Sequence, residues 1–358
     1  MGTHAVRTLS ATIAANETLN TPPSRLAKII QVKVESDVAF AVKLNMNVLN
    51  IAFKGVTLKI RSLHYKRAGR LMRFILDLIL TNHSLYLSCR LPKMTQVSTN
   101  NKSIVRMPAL FIGHGNPMLA ITSNPYREAW QALGASLPQP KAILCISAHW
   151  QTVGTQVCVS KHPNTLHDFG GFPSELFEQQ YAAPGTPEFA QLTQSLFPAG
   201  KISANADWGL DHGAWCILQS LFPKADVPVF QLSLDLNLDF SAHFKLARQL
   251  AQLRNRDVMV IGSGNIVHNL AQLNMQGKTA DWARDFDQYV KSALENSDDE
   301  ALMHIERAGP CARLAAPSDE HYLPLLYITA IRHSEDQLHF MTESFDLGTL
   351  SMRSVLYS

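Results

Sequence analysis

Short apolar runs bounded by turn residues recur from residue 109 onward, and the segments between them repeat their apolar positions every three or four residues. Ala109–Ile112, Ala142–Ile146, Val227–Leu234 and Val258–Ile261 have the length and composition of buried strands, and Gln156–Ser160 reads as a further one. The intervening pattern predicts helices. One starts at Pro125 and is stopped by Gly134, and another has a Thr186 cap with Pro187 at its first position and runs to about Phe197. Others cover Ala214–Leu221, Phe240–Leu253 and Thr279–Leu294, the last with Trp282, Phe286 and Val290 at i, i+4 and i+8. Leu325–Ile331 is a largely apolar run, and the alternating segments Leu338–Met341 and Ser351–Tyr357 predict closing strands. The expected fold is α/β: a single domain with a central, mostly parallel or mixed sheet covered by helices on both faces.

Charge changes the picture at the amino end. Of the 32 basic and 29 acidic residues, 14 basic and 4 acidic ones fall in residues 1–93, which leaves 18 basic and 25 acidic in residues 94–358. Such a split joins two unlike pieces, and it removes any case for a nucleic-acid partner of the acidic piece. Within 1–93 the clusters Val38–Val42 and Val48–Phe53 are strand-like and His64–Leu80 has the pattern of a basic amphipathic helix, yet no turn chemistry links them. We expect 1–93 to be an unassigned basic extension, disordered or translated from a misplaced start, with the natural protein beginning at Met94 or Met107 and the catalytic domain spanning 94–358. Cys89, Cys145, Cys158, Cys216 and Cys311 show no CxxC spacing, the pattern of a reduced, cytoplasmic protein rather than of a disulfide framework. No run approaches the roughly 18 apolar residues that a bilayer span needs.

Candidate chemistry lies where the strands end. Five histidines, His114, His149, His212, His268 and His321, occupy glycine- or proline-flanked junctions after strands or at helix starts. One such residue reads as a hydrogen-bonded polar group at a sheet edge; five together read as a metal centre assembled from separate loops. The loop His162–Pro173, rich in Gly, Pro and aromatics, has the composition of a pocket wall, or of a surface loop whose aromatics cap the core.

Six motifs in order, Phe111-Ile-Gly-His-Gly-Asn-Pro117, Ser147-Ala-His-Trp150, His167-Asp-Phe-Gly-Gly-Phe-Pro173, Leu210-Asp-His-Gly213, Ser263-Gly-Asn-Ile-Val-His-Asn269 and Glu320-His-Tyr-Leu-Pro-Leu-Leu326, resemble the 4,5-DOPA extradiol dioxygenase group of the class III extradiol ring-cleaving dioxygenases. The likeness runs from about Met107 to Ser358 and leaves residues 1–93 unmatched. It implies that His114, His149 and His321 hold a divalent metal, with His268 as acid/base or as a fourth ligand in a zinc-loaded form. His212 would touch the substrate or dioxygen from just outside the metal. Glu320, adjacent to His321, would point the other way if the segment is extended, which makes it a poor ligand. The loop residues His167, Asp168, Phe169 and Phe172 would bind substrate, the phenylalanines by stacking and His167 or Asp168 through polar substituents.

The resemblance implies Fe(II) for ring cleavage of a DOPA-like catechol by O2 to a ring-opened semialdehyde. Zn(II) is allowed as the bound ion, although it is redox-inert and cannot carry electrons to oxygen. Two other readings stay open: a zinc hydrolase using a histidine-bound water, and a non-catalytic metal-binding relative of the same fold. The expected partners are a small catechol and O2, without nucleic acid or membrane, for a monomer or small homo-oligomer.

Overall fold

The computed structural model describes residues 106–358 and, before them, the backbone of four strands: β1 (Gln31–Val34), β2 (Ala41–Asn45), β3 (Val48–Phe53) and β4 (Val56–Arg61). Contacts divide the chain into two units, 1–100 and 101–358. In the first unit these strands pair antiparallel in the order β1-β4-β3-β2, with β3 and β4 in register from Val48 opposite Arg61 to Phe53 opposite Val56. The strand expected at Val48–Phe53 is present, and β2 overlaps the one expected at Val38–Val42. The basic helix expected over His64–Leu80 lies outside the described residues.

In the second unit, β5 (Ala109–Gly113), β6 (Ala142–Ser147), β7 (Val229–Gln231), β8 (Val258–Gly264), β9 (Leu338–Met341) and β10 (Ser354–Tyr357) form one mixed sheet in the order β7-β6-β8-β5-β10-β9. The first four are parallel, and β10 and β9 close the edge antiparallel. Alternate residues of each strand serve opposite faces. Phe111, Leu144, Ile146 and Val260 pack with Phe244, Ala247 and Leu250 of the helix Phe240–Arg254 and with the helix Leu323–Ala330, while Ile112, Ile143, Cys145 and Ile261 pack with Trp130 and Trp215 from helices on the other face. The longer helices are α1 (Pro125–Ser136), α2 (Pro187–Ser195), α3 (His212–Leu221), α4 (Phe240–Arg254), α5 (Asp281–Glu295) and α6 (Leu323–Ala330). A sheet covered on both faces explains why its central strands read as unbroken apolar runs.

Local details depart from the sequence reading. Gly134 does not stop α1, which continues to Ser136; a side chain there would meet the Leu221 carbonyl oxygen at 2.1 Å, so glycine permits close packing of α1 on the end of α3. Thr186 precedes α2 without a side-chain capping bond. The strand Gln156–Cys158 pairs with Ser203–Asn205 in a separate small sheet, and the final strand is broken into Leu350–Ser351 and β10. At the edge away from the carboxyl ends of the parallel strands, buried Arg254 donates to the carbonyls of Met107, Ile331 and Tyr357 and to the Asp336 carboxylate. Among the described residues no helix is long and apolar enough to cross a membrane.

Candidate metal centre

The parallel strands β5, β6 and β8 end on one edge of the sheet, where open α/β sheets bind ligands. His114 follows β5 directly and its backbone N–H donates to the Gly264 carbonyl. His149 lies two residues beyond β6, its N–H donating to Ser147 Oγ at 3.2 Å. His212 opens α3, whose N-cap Asp211 accepts from the Ala214 N–H at 3.1 Å. His268 follows β8, and His321 sits in the turn before α6. A side chain on Gly264 would stand 2.1 Å from the His321 carbonyl oxygen, so glycine at this strand end is what lets the His321 turn approach β8.

The five rings converge. The centroids of His114, His149 and His321 form a near-equilateral triangle with 5.1 Å sides. Three imidazoles bound through nitrogen at about 2.1 Å would have centroids about 4.6 Å apart in octahedral and about 5.3 Å apart in tetrahedral geometry. The observed triangle lies between the two. His114 Nε2 and His149 Nε2 face each other at 3.2 Å, again the spacing of two ligands of one ion. His212 is less symmetric, at 3.8 Å from His149 and 5.8 Å from His114 by centroid, although ligand atoms of these three fall within 4.8 Å of one another. His268 stacks on His321 at 3.4 Å and 7°. Parallel rings at that separation cannot both hold one ion in their planes.

Hydrogen bonds set the tautomers. Ser263 Oγ donates to the Gly213 carbonyl at 2.5 Å, so at 2.9 Å it can only accept from His114 Nδ1–H. His114 therefore turns its Nε2 lone pair to the cluster, as a metal-ligating histidine does when its other nitrogen donates to a neighbour. Asp168 Oδ2 likewise accepts from His212 Nδ1 at 3.0 Å. His321 Nδ1 is buried without a protein partner, as a nitrogen reserved for a ligand would be.

Electrostatics keep His114, His149, His268 and His321 neutral and their lone pairs available. Burial first, then the charges of His149, His212 and His268, holds His114 well below the usual imidazole range. Burial and then His268 do the same for His321. His149 falls to about 3 and His268 to about 4, each through burial first and His212 second. A site that rejects several imidazolium charges yet concentrates nitrogen lone pairs fits a divalent cation.

The expected substrate wall stands against this cluster. Phe169 lies edge-on to His212 at 5.5 Å and contacts Phe172 at 5.4 Å. Its two polar members already have protein partners: His167 Nε2 donates to the Gln179 carbonyl at 3.0 Å, and both Asp168 oxygens accept from His212. Glu320 lies in a turn, where strand alternation does not apply, and its carboxylate, His268 and His321 have ligand atoms within 4.8 Å of one another. Residue-by-residue reading missed Ser263, Ser147, Asp211 and Gln231. Asp211 accepts from Ser147 at 2.6 Å and from Gln231 at 2.8 Å, tying the His149 strand to the His212 helix. The available signals were an acidic residue just before a helix and a serine between two strand-end glycines.

Comparison with known proteins places this geometry. Residues 108–353 match the family described as the catalytic LigB subunit of aromatic ring-opening dioxygenase. A 4,5-DOPA dioxygenase extradiol of Escherichia coli K12 is 41% identical over 260 residues, covering 71% of this chain and 95% of that protein. One from Beta vulgaris is 38% identical over 256 residues, covering 69% and 95%. A crystal structure of an uncharacterized protein from Escherichia coli K12 superposes with a TM-score of 0.63 at 37% identity, covering 71% of this chain and all of that one. The chain belongs to the LigB family, the catalytic subunits of aromatic ring-opening dioxygenases.

Proposed function

We propose that the chain cleaves a DOPA-like catechol outside its two hydroxyls, with Fe(II) held by His114, His149 and His321. Extradiol ring-cleaving dioxygenase activity follows from the family match and from relatives of nearly full coverage named for it. The catechol, the iron and the residue roles are our reading, carried chiefly by the 5.1 Å triangle of histidine rings. A bound redox-capable cation supplies Lewis acidity and an electron path between catecholate and O2.

The side chains supply the rest. His268, off the triangle and kept neutral by burial, takes a catechol hydroxyl proton on an imidazole nitrogen and returns it as the ring opens. His212 faces the same space from the start of α3 and meets the substrate oxygens. Phe169 and Phe172 form an apolar wall for the aromatic ring and keep water from it. Zn(II) would occupy the same ligands without supporting oxygen chemistry.

The test is O2 uptake by anaerobically Fe(II)-loaded protein across a catechol panel. Uptake with DOPA-like catechols and a yellow ring-opened product are expected; no uptake with any catechol would sink the reading.

A further inference from the structure

We propose that Asp168 is a positioning residue that locks His212 in the tautomer with its proton on Nδ1, so that Nε2 meets the substrate as a hydrogen-bond acceptor. The assignment rests on the ring-cleavage reading for its catalytic meaning, but its geometry stands independently. Oδ2 lies 3.0 Å from His212 Nδ1, and Oδ1 accepts the His212 backbone N–H at 2.9 Å. A carboxylate only accepts, so the Nδ1 partner must be N–H, and the uncharged tautomer selected in this way carries its lone pair on Nε2. Gripping one residue by both backbone and ring fixes the direction of the side chain as well as its tautomer.

The loop that carries Asp168 is itself held to the start of α3. Leu166 N–H donates to the Leu210 carbonyl and Leu210 N–H to that of Asn164, both at 2.7 Å. Trp215 Nε1, one turn into α3, donates to the Leu166 carbonyl at 2.8 Å. Carboxylate and imidazole are thus preset relative to each other before any ligand arrives. Burial alone would raise the Asp168 carboxyl, but the His212 ring donor, charge attraction to the His212 ring and the His212 backbone N–H outweigh it and hold it low. With both oxygens engaged, and Oδ2 also 3.7 Å from His149 Nδ1, Asp168 is poorly placed to bind substrate itself.

The nearest physical parallel is the carboxylate that orients the histidine of a Ser-His-Asp triad, where replacement by the amide leaves the geometry intact but selects the wrong tautomer, at a cost of about 10⁴ in kcat. In Asp168→Asn, the amide oxygen can keep the His212 backbone bond while the amide N–H turns toward Nδ1. The ring proton then moves to Nε2, and the substrate meets a donor.

The test has two parts. First, imidazole 15N NMR on the metal-free native protein at neutral pH reads the tautomer without any variant. Protonated Nδ1 with bare Nε2 on His212 is expected, and either the reverse or protons on both nitrogens overturns the proposal. Second, D168N, checked for native circular dichroism and for Fe(II) content equal to native, should invert the His212 15N pattern. Its kcat for catechol-dependent O2 uptake should fall by about 10²-fold to 10⁴-fold while KM stays within about threefold. A raised KM with unchanged kcat overturns it, since that is the signature of a substrate contact. Absence of O2 uptake by native Fe(II) protein would strike the ring-cleavage reading and leave the tautomer measurement to decide the role of Asp168.

Discussion

Replacing Ser263 by alanine tests how the metal centre is organised. Ser263 is fully buried, and its hydroxyl accepts from His114 Nδ1–H while donating to the Gly213 carbonyl. Alanine leaves the His114 N–H, on a ring only 3% exposed, without an acceptor. An unsatisfied buried donor costs about 1–3 kcal/mol. The ring can escape by moving its proton to Nε2, but that removes the lone pair facing His149 Nε2 at 3.2 Å. In either form the cost falls on the metal-binding state, which corresponds to about 5-fold to 150-fold weaker binding. Loss of an outer partner of a metal-ligating histidine typically weakens binding by about 10-fold to 100-fold, in agreement. The assay is Zn(II) competition against a chromophoric chelator, with Zn(II) as a redox-silent probe. S263A binding zinc within about twofold of native would refute the tautomer argument.

Three further outcomes follow from the same geometry. His268→Ala should keep its metal within about twofold, measured by elemental analysis, and lose about 10²-fold to 10⁴-fold in ring cleavage; parallel loss of metal would make His268 a ligand. Phe169→Ala should raise KM for catechols by roughly 2-fold to 13-fold, as expected for removing an aromatic contact of about 0.5–1.5 kcal/mol, and an unchanged KM would take Phe169 out of the substrate wall. Arg254→Ala leaves Asp336 and three carbonyls without their buried donor, and should destabilise the fold by about 3–5 kcal/mol in urea unfolding. Burial would raise the Asp336 carboxyl, but Arg254 and the His333 N–H hold it below its ordinary value. Its contribution is therefore complete above about pH 3.9 and lost as pH falls through the lower folded value. Native stability should drop in that acid window, and the part of the drop due to this pair should vanish in the variant.

The sheet was legible because strands covered on both faces must be apolar throughout, as Ala142–Ile146 and Val258–Ile261 are. The histidine junctions were legible because ligands gather where parallel strands end. The order of strands was not, since the position of β8 between β6 and β5 is a long-range pairing that leaves no local trace. The Asp168–His212 pair leaves as little local trace. In sequence Asp168 is an acidic residue in a glycine-rich loop, whereas its partner lies 44 residues away on a helix. Gly134 looked like a helix stop because local propensity is all that a sequence window holds; its reason is the Leu221 carbonyl of another helix.

The most direct test of ring-opening dioxygenase chemistry at the histidine triangle is a single turnover of Fe(II)-loaded protein with a DOPA-like catechol under 18O2. The ring-opened product should be weighed promptly, before aldehyde oxygen exchanges with water. Both oxygen atoms of one O2 in the product is the predicted result. A product that lacks 18O because its new oxygens came from water, or turnover equally fast with Zn(II) in place of Fe(II), would contradict it.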